Sequence, residues 1–279
     1  MPANSAVRLA ERHFTAFLDG LDSPDISNPI HSTKVAGEYG FKAALVGGVT
    51  VYGWATPPIL EVLSDRWLWN GWVDAAFRAP VYPGDELTIR AERADDGAAT
   101  WAIVNADGVS CVAGVAGIGE APWLNELQTT TRLTAEPRPA TMPQLAMEIV
   151  PVGEELRPMA VSIPIEDMEA YADGKQLDPD PRWRGKEALL HPGWIAARMT
   201  PLLHHSFDYG PAIHTRSQIQ HLAPAHAGQT ITMAGRFIEA FERKANHYAV
   251  LDGTYLNEDG TVFARARHTT IFHVRKVQP

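Results

Sequence analysis

The sequence predicts an α+β protein made of two tandem copies of one unit, each a helix followed by antiparallel strands. Three observations predict it: glycines and prolines that recur at a nearly constant offset, one apolar segment at near-helical spacing in each copy, and an Asp-Gly hairpin signal late in each copy. A chain of 279 residues with 45% hydrophobic content has enough apolar side chain for two modest cores.

The repeat comes first. Gly40-Phe41 precedes Gly48 by eight residues, and Gly185-Lys186 precedes Gly193 by the same interval, with short apolar runs between them. The two copies lie 145 residues apart (193 − 48). Further on, FRAPVYPGDELTIRAE resembles IQHLAPAHAGQTITMAGR, with Pro80 opposite Pro224 and Gly84 opposite Gly228, an offset of 144 (228 − 84). The helices are expected in VTVYGWATPPILEVL and WIAARMTPLLHHSF, where Pro57-Pro58 and Pro201 should kink or shorten them. Strands are expected on either side of Asp107-Gly108 and Asp259-Gly260, since Asp-Gly between alternating apolar residues favours a tight hairpin. The proline-rich stretch 121–160 has no sustained period and reads as a connector, which divides the chain into residues 1–122, a linker 123–157 and residues 158–279. A linker of that length can cross one unit and start the second on its far side, so that the two sheets pair edge to edge.

Composition excludes several function classes. The net charge is −9, and no basic run interleaved with aromatics offers a footprint for nucleic acid. No apolar run is long enough for a membrane span, and MPANSAVRLAERHF has no signal-peptide core, so a cytoplasmic protein is expected. Cys111 is the single cysteine, which excludes an intramolecular disulfide and reads as a small buried residue in VSCVAGVAGI. The late histidines, His191, His204, His205, His214, His221 and His226, form no metal-binding pair with a helical carboxylate, and neither a metal nor a cofactor is expected. Gly47-Gly48 lies in no phosphate-loop pattern, and no Gly-x-Ser-x-Gly elbow is present.

Residues 23–48, SPDISNPIHSTKVAGEYGFKAALVGG, resemble the (R)-specific enoyl-CoA hydratases and MaoC-like dehydratases. Those proteins carry an Asp-x-Asn-Pro-(Leu/Ile/Val)-His stretch, then an alanine, then Gly-Phe, then an apolar run ending in glycine. Asn28-Pro29-Ile30-His31, Ala36, Gly40-Phe41 and Gly48 stand here in that order. The resemblance implies a double hot-dog fold, two tandem domains that each wrap an antiparallel sheet around a helix. It implies hydration or dehydration of an enoyl or 3-hydroxyacyl thioester carried by CoA or acyl carrier protein. Hot-dog thioesterase action and non-catalytic thioester binding are the alternatives.

In that resemblance His31 and Asp25 form the acid/base pair, and the backbone at Gly47 and Gly48 donates to the thioester oxygen. The residue types suit the chemistry, which needs a base near neutral pH, an acid for the α-carbon and donors for an enolate oxygen. The family aspartate position holds Ile26, and the nearest carboxylate is Asp25. A one-residue insertion before Asn28 with a one-residue deletion after His31 would restore Asp25; alternatively Asp25 serves the Ser-Pro-Asp turn.

The second copy, Asp178-Pro179-Asp180-Pro181-Arg182-Trp183, has Trp183 where the histidine would stand and lacks about two helical turns before Gly185, so it should be silent and should leave a gap for the acyl group. In the familiar eukaryotic double hot-dog hydratases the catalytic half is the second, the reverse of this order. Asn28, Tyr39, Trp183 and His191 are expected to line the substrate site, with Asp208 and Tyr209 as further candidates. Because the duplication already supplies the pairing of two domains, a monomer or homodimer is expected.

Overall fold

The structure is a computed structural model that describes residues 8–18 and 28–276. Ten strands form one sheet: β1 Leu9–Thr15, β2 Gly71–Phe77, β3 Glu86–Arg93, β4 Ala99–Asn105, β5 Ser110–Ile118, β6 Met159–Ile163, β7 Ile213–His221, β8 Gln229–Arg243, β9 Asn246–Leu256 and β10 Val262–His273. Their spatial order is β1-β3-β4-β5-β2-β7-β10-β9-β8-β6, and every pairing between these strands is antiparallel. The second five strands repeat the order of the first five about the β2–β7 seam. The duplication read from the glycines is therefore a duplication of topology.

The hairpins turn where Asp-Gly predicts. Gly108 and Gly260 have φ of 77° and 84°, left-handed values that cost glycine little. In the first copy Asn105 tightens the turn by accepting from the backbone N–H groups of Asp107 (3.1 Å) and Val109 (2.9 Å). Strand β3 alternates buried Leu87, Ile89 and Ala91 with residues facing out, the period of a sheet covered on one face.

Among the described residues seven α-helices accompany the sheet: α1 Thr33–Glu38, α2 Gly48–Gly53, α3 Thr56–Leu63 and α4 Trp67–Asn70 in the first half, and α5 Ile165–Tyr171, α6 Pro192–Ala196 and α7 Met199–Ser206 in the second. The expected single helix of each half is two short ones, because Pro57-Pro58 lack the N–H groups a continuous helix would use and sit instead in the first turn of α3. The α2–α3 and α6–α7 pairs correspond, whereas α1 has no counterpart after Trp183. The start of α6 at Pro192 aligns Gly48 with Pro192, an offset of 144, so Gly193 lies one residue beyond the position the sequence repeat gave it.

The seam is polar on one face, with Asp74, Arg216, Gln218 and Gln220, and packs Val73, Ala75 and Ile219 on the other. Arg216 on β7 makes two bonds to Asp74 on β2, at 2.9 and 2.6 Å, and Gln218 adds a third at 3.1 Å. Val73 and Ile219 face each other, both buried. Gln220 is saturated: its amide donates to the carbonyls of Gly71, Gly119 and His221 and accepts from Ala121 N–H at 2.7 Å. From Ala121 the connector crosses the outer face of the second half in the order of its strands. Arg267 and Arg265 on β10 donate to the carbonyls of Glu126 and Leu127, Asp252 on β9 accepts from Gln128 N–H, and Glu155, bound to Arg236 of β8, accepts from Thr131 and Arg132 N–H. This cover explains why β9 is buried on both faces from Ala249 to Leu256 while β4 is not. One apolar core runs through both halves, from Phe14 and Trp54 to Phe237 and Phe272. No helix among the described residues is long and apolar enough to cross a membrane.

Candidate active site

A cavity of about 1060 Å³ opens between the halves. Its first-half wall is the turn Asn28–His31, the strand-like run into α2 and the Phe77–Val81 segment; its second-half wall is α7, the following loop and the start of β7. A volume at the top of the range for small-molecule sites suits a large ligand.

The turn that carries His31 is a single 3-10 turn, Pro29–His31, for which the sequence supplies both stop and start. Proline fixes the first position, and Asn28 caps it by accepting from Ile30 N–H (3.4 Å). The same Asn28 amide reaches across the seam, donating to Ala212 C=O (2.7 Å) and accepting from Ala212 N–H (3.1 Å). Asn28 lines the cavity, but its polar atoms are used in holding the histidine turn to the second half.

His31 Nδ1 lies 2.6 Å from Leu45 C=O. A carbonyl can only accept, so Nδ1 carries the proton and Nε2 keeps its lone pair. Burial lowers the pKa of this imidazole below its ordinary 6.5, opposed by the Leu45 bond, so the neutral form prevails at neutral pH. A methyl built on Gly47 would meet His31 Cε1 at 3.6 Å and Nε2 at 3.9 Å, which places the basic edge of the ring against the start of α2. There Thr50 and Val51 N–H both bond Gly47 C=O, while Gly48 and Val49 N–H have no acceptor among the described residues. Gly48 is packed so closely that a Cβ would lie 2.9 Å from the Phe77 ring. A neutral base and two free N–H donors thus share one edge of the cavity.

Asp25 and Ile26 lie outside the described residues. Asp208 and Tyr209 line the cavity, Asp208 exposed at its rim and Tyr209 buried and stacked on His204 with ring centroids 3.9 Å apart. Tyr39 does not line it. Its ring packs beside Ile30, Ala36 and Leu45 under α1, with the Lys276 ammonium 5.7 Å from its centre.

Trp183 and His191 are likewise not in the cavity; both are fully buried in the second half. His191 is the N-cap of α6, where its Nδ1 accepts from Gly193 N–H at 3.0 Å, and its Nε2 lies 3.5 Å from Asp178. Trp183 donates to Asp178 at 2.8 Å and packs its ring 4.7 Å from that of His191. Asp180 caps the Pro181–Trp183 turn as Asn28 caps its own, accepting from Arg182 N–H. The degenerate copy therefore keeps the turn and the helix start. An indole stands in for the imidazole, a histidine side chain fills the space beside it that Gly47 leaves open, and Pro192 removes the N–H that Gly48 offers. Trp183 and His191 pack against each other, both fully buried beside the start of α6.

Two parts of the site had no sequence signal: the Leu45 carbonyl that sets the tautomer and the Ala212 backbone that anchors Asn28. Backbone groups leave no signature in a residue pattern. Among the described residues no group of histidine, cysteine and carboxylate side chains could hold a metal.

No protein-family model matches the chain, and comparison with curated proteins finds no match. Solved structures do match. A MaoC-like dehydratase is 16% identical with a TM-score of 0.58, covering 88% of this chain and 90% of its own. A conserved hypothetical protein from Mycobacterium tuberculosis, described as a double hot-dog fold, gives 14%, 0.59, 88% and 86%. A protein from Lactobacillus plantarum assigned as an oleoyl thioesterase gives 11%, 0.50, 98% and 99%. At these identities the likeness establishes architecture. The chain has the double hot-dog fold, in the arrangement found in solved MaoC-like dehydratases.

Proposed function

We propose that the protein is a MaoC-like hydro-lyase that adds water to an enoyl thioester, or removes it from a 3-hydroxyacyl thioester, in the cavity between its halves. The observation that carries this reading is the placement of a neutral imidazole, its tautomer set by Leu45 C=O, beside the unpaired N–H groups at the start of α2. In hydration, His31 Nε2 takes a proton from water as the oxygen bonds to the β-carbon. The C=C electron pair moves to the α-carbon and the thioester oxygen, where Gly48 N–H stabilises the enolate charge. The α-carbon then takes a proton, which the family resemblance assigns to Asp25. Dehydration is the reverse. The exposed Arg78 and Arg138 at the cavity wall suit the phosphates of a CoA or phosphopantetheine carrier. The second half supports the site without chemistry of its own.

The same base could direct water at the thioester carbonyl, the thioesterase outcome. Incubating the protein with trans-2-enoyl-CoAs of graded length and following the products by mass spectrometry separates the outcomes. A gain of one water with the thioester intact supports the hydro-lyase; free CoA supports a thioesterase. Binding without either product marks a thioester-binding protein.

A further inference from the structure

Resting on the reading of the cavity as an acyl-thioester site, the charge inside it says something about the acyl group. Arg198 sits at the junction of α6 and α7 and lines the same cavity as His31. Its Nε donates to Trp194 C=O at 3.1 Å and its guanidinium lies 4.2 Å over the Trp194 ring. Nothing else holds it. No carboxylate lies within ion-pair distance among the described residues, and neither terminal nitrogen has an acceptor there. A guanidinium does not shed its proton in a protein, so this is a fixed charge in a half-buried place on the cavity wall.

The corresponding junction of the first half, Trp54-Ala55, is apolar and fully buried. Packing of this fold therefore does not call for a cation there. Asp208, the acid in the cavity lining, bears on His204, as Arg138 does, whereas the electrostatic neighbours of Arg198 are Tyr171 and Tyr255. Tyr209 adds a second, independent observation. The residue lines the same cavity, and its hydroxyl is buried without a hydrogen-bond partner among the described residues. The cavity thus holds donors in search of an acceptor. A bulky, hydrated carrier suits the mouth, near the exposed Arg78 and Arg138, which leaves the half-buried guanidinium to the acyl end of the substrate.

We propose that the substrate is the monothioester of a dicarboxylic acid, and that Arg198 receives the free carboxylate of its acyl group. Arg198 is a specificity residue here, with no part in the proton transfers of His31.

The test uses saturated acyl-CoAs, which cannot be hydrated, so that binding is read apart from turnover. Dissociation constants of succinyl-, glutaryl- and adipoyl-CoA are compared by titration calorimetry with those of butyryl-, valeryl- and hexanoyl-CoA, in the wild type, Arg198→Met and Arg198→Lys, all in the His31→Ala background to prevent hydrolysis. At the best chain length the carboxylated member should bind about 30-fold or more tightly than its neutral partner, the scale separating a paired from an unpaired desolvated charge. Arg198→Met should bring that ratio close to one, and Arg198→Lys should keep part of it. A wild-type ratio at or below one at every length overturns the proposal, as does a ratio unchanged in Arg198→Met. If the methionine variant does not fold, the wild-type ratio and the lysine variant decide. Turnover of enoyl-CoAs abolished by His31→Ala, together with a ratio of one, would leave the hydro-lyase reading standing and remove this one.

Discussion

Replacing His191 with alanine separates the two histidines that stand beside corresponding helix starts. The change removes an N-cap whose bond to Gly193 N–H is 3.0 Å, a capping loss of about 1 kcal/mol. It removes a donor 3.5 Å from Asp178, a carboxylate only 4% exposed. Burial works against the charge on Asp178, but the adjacent His191 ring and the Trp183 and Asp180 N–H donors outweigh it and hold its pKa below the ordinary value; losing the His191 ring beside that charge should cost about 1 kcal/mol. It also leaves a hole beside the Trp183 and Tyr171 rings. These effects share atoms and do not add fully, so a net loss of about 3–5 kcal/mol is expected. At about 2 °C per kcal/mol for a chain of this size, the melting temperature should fall by about 6–10 °C. Unfolding is followed by tryptophan fluorescence in heat and urea, and turnover is measured where both proteins are folded. Turnover should stay within about twofold of wild type. A loss of turnover beyond about a hundredfold with an unmoved unfolding midpoint would show that His191 belongs to the active site, and the reading of the second half as silent would be wrong.

His31→Ala should lower turnover by about two to four orders of magnitude with little effect on folding, and in the wild type kcat/KM should fall only when pH drops below an inflection lying under 6.5, since burial lowers this pKa and the neutral form is the base. Gly48→Ala should cut turnover strongly while His31 stays intact, because the added methyl would lie 2.9 Å from the Phe77 ring and must move either the ring or the N–H donors; full activity in a folded variant would remove Gly48 from the site. Asp25→Asn should cost turnover on the scale of His31→Ala if Asp25 protonates the α-carbon, and nearly nothing if it serves the turn, where asparagine substitutes well. Burial lowers the pKa of His221 to about 4 and of His268 to about 3, so between those values and 6.5 the unfolded chain binds more protons than the folded one. Stability should therefore fall as pH drops below about 6.5, by about 1.4 kcal/mol per pH unit for each group, and His268→Leu should flatten the slope in urea titrations from pH 7 to 5.

The unequal halves follow from one substitution of roles. In the first, glycine at the N-cap leaves room for an imidazole edge and exposes N–H groups; in the second, histidine at the N-cap fills that room, and proline removes the donor. In the proposed reading the second half contributes walls, an anchor at Ala212 and a half-buried cation rather than a second active site.

The sequence by itself determined what depends on local backbone rules and on repetition. Asp107-Gly108 and Asp259-Gly260 named the hairpins because left-handed turns need glycine, the prolines marked where the helices break, and the constant offset announced two like units. Asn-Pro-Ile-His carried the resemblance that singled out His31, which the structure holds in a turn capped by Asn28, with Gly48 at the helix start beside it. What only the tertiary structure decided is which side chains share a cavity. Tyr39 and His191 lie near the motif in sequence or in repeat register, yet one packs under α1 and the other is sealed in the core. Arg198, nearly 170 residues from His31, faces the same space because β2 pairs with β7 and brings α7 over the first half's site. Side-chain direction at that seam is set by the pairing register of two strands 144 residues apart at their central pair, Asp74 and Gln218 (218 − 74), and no local pattern in the chain encodes it.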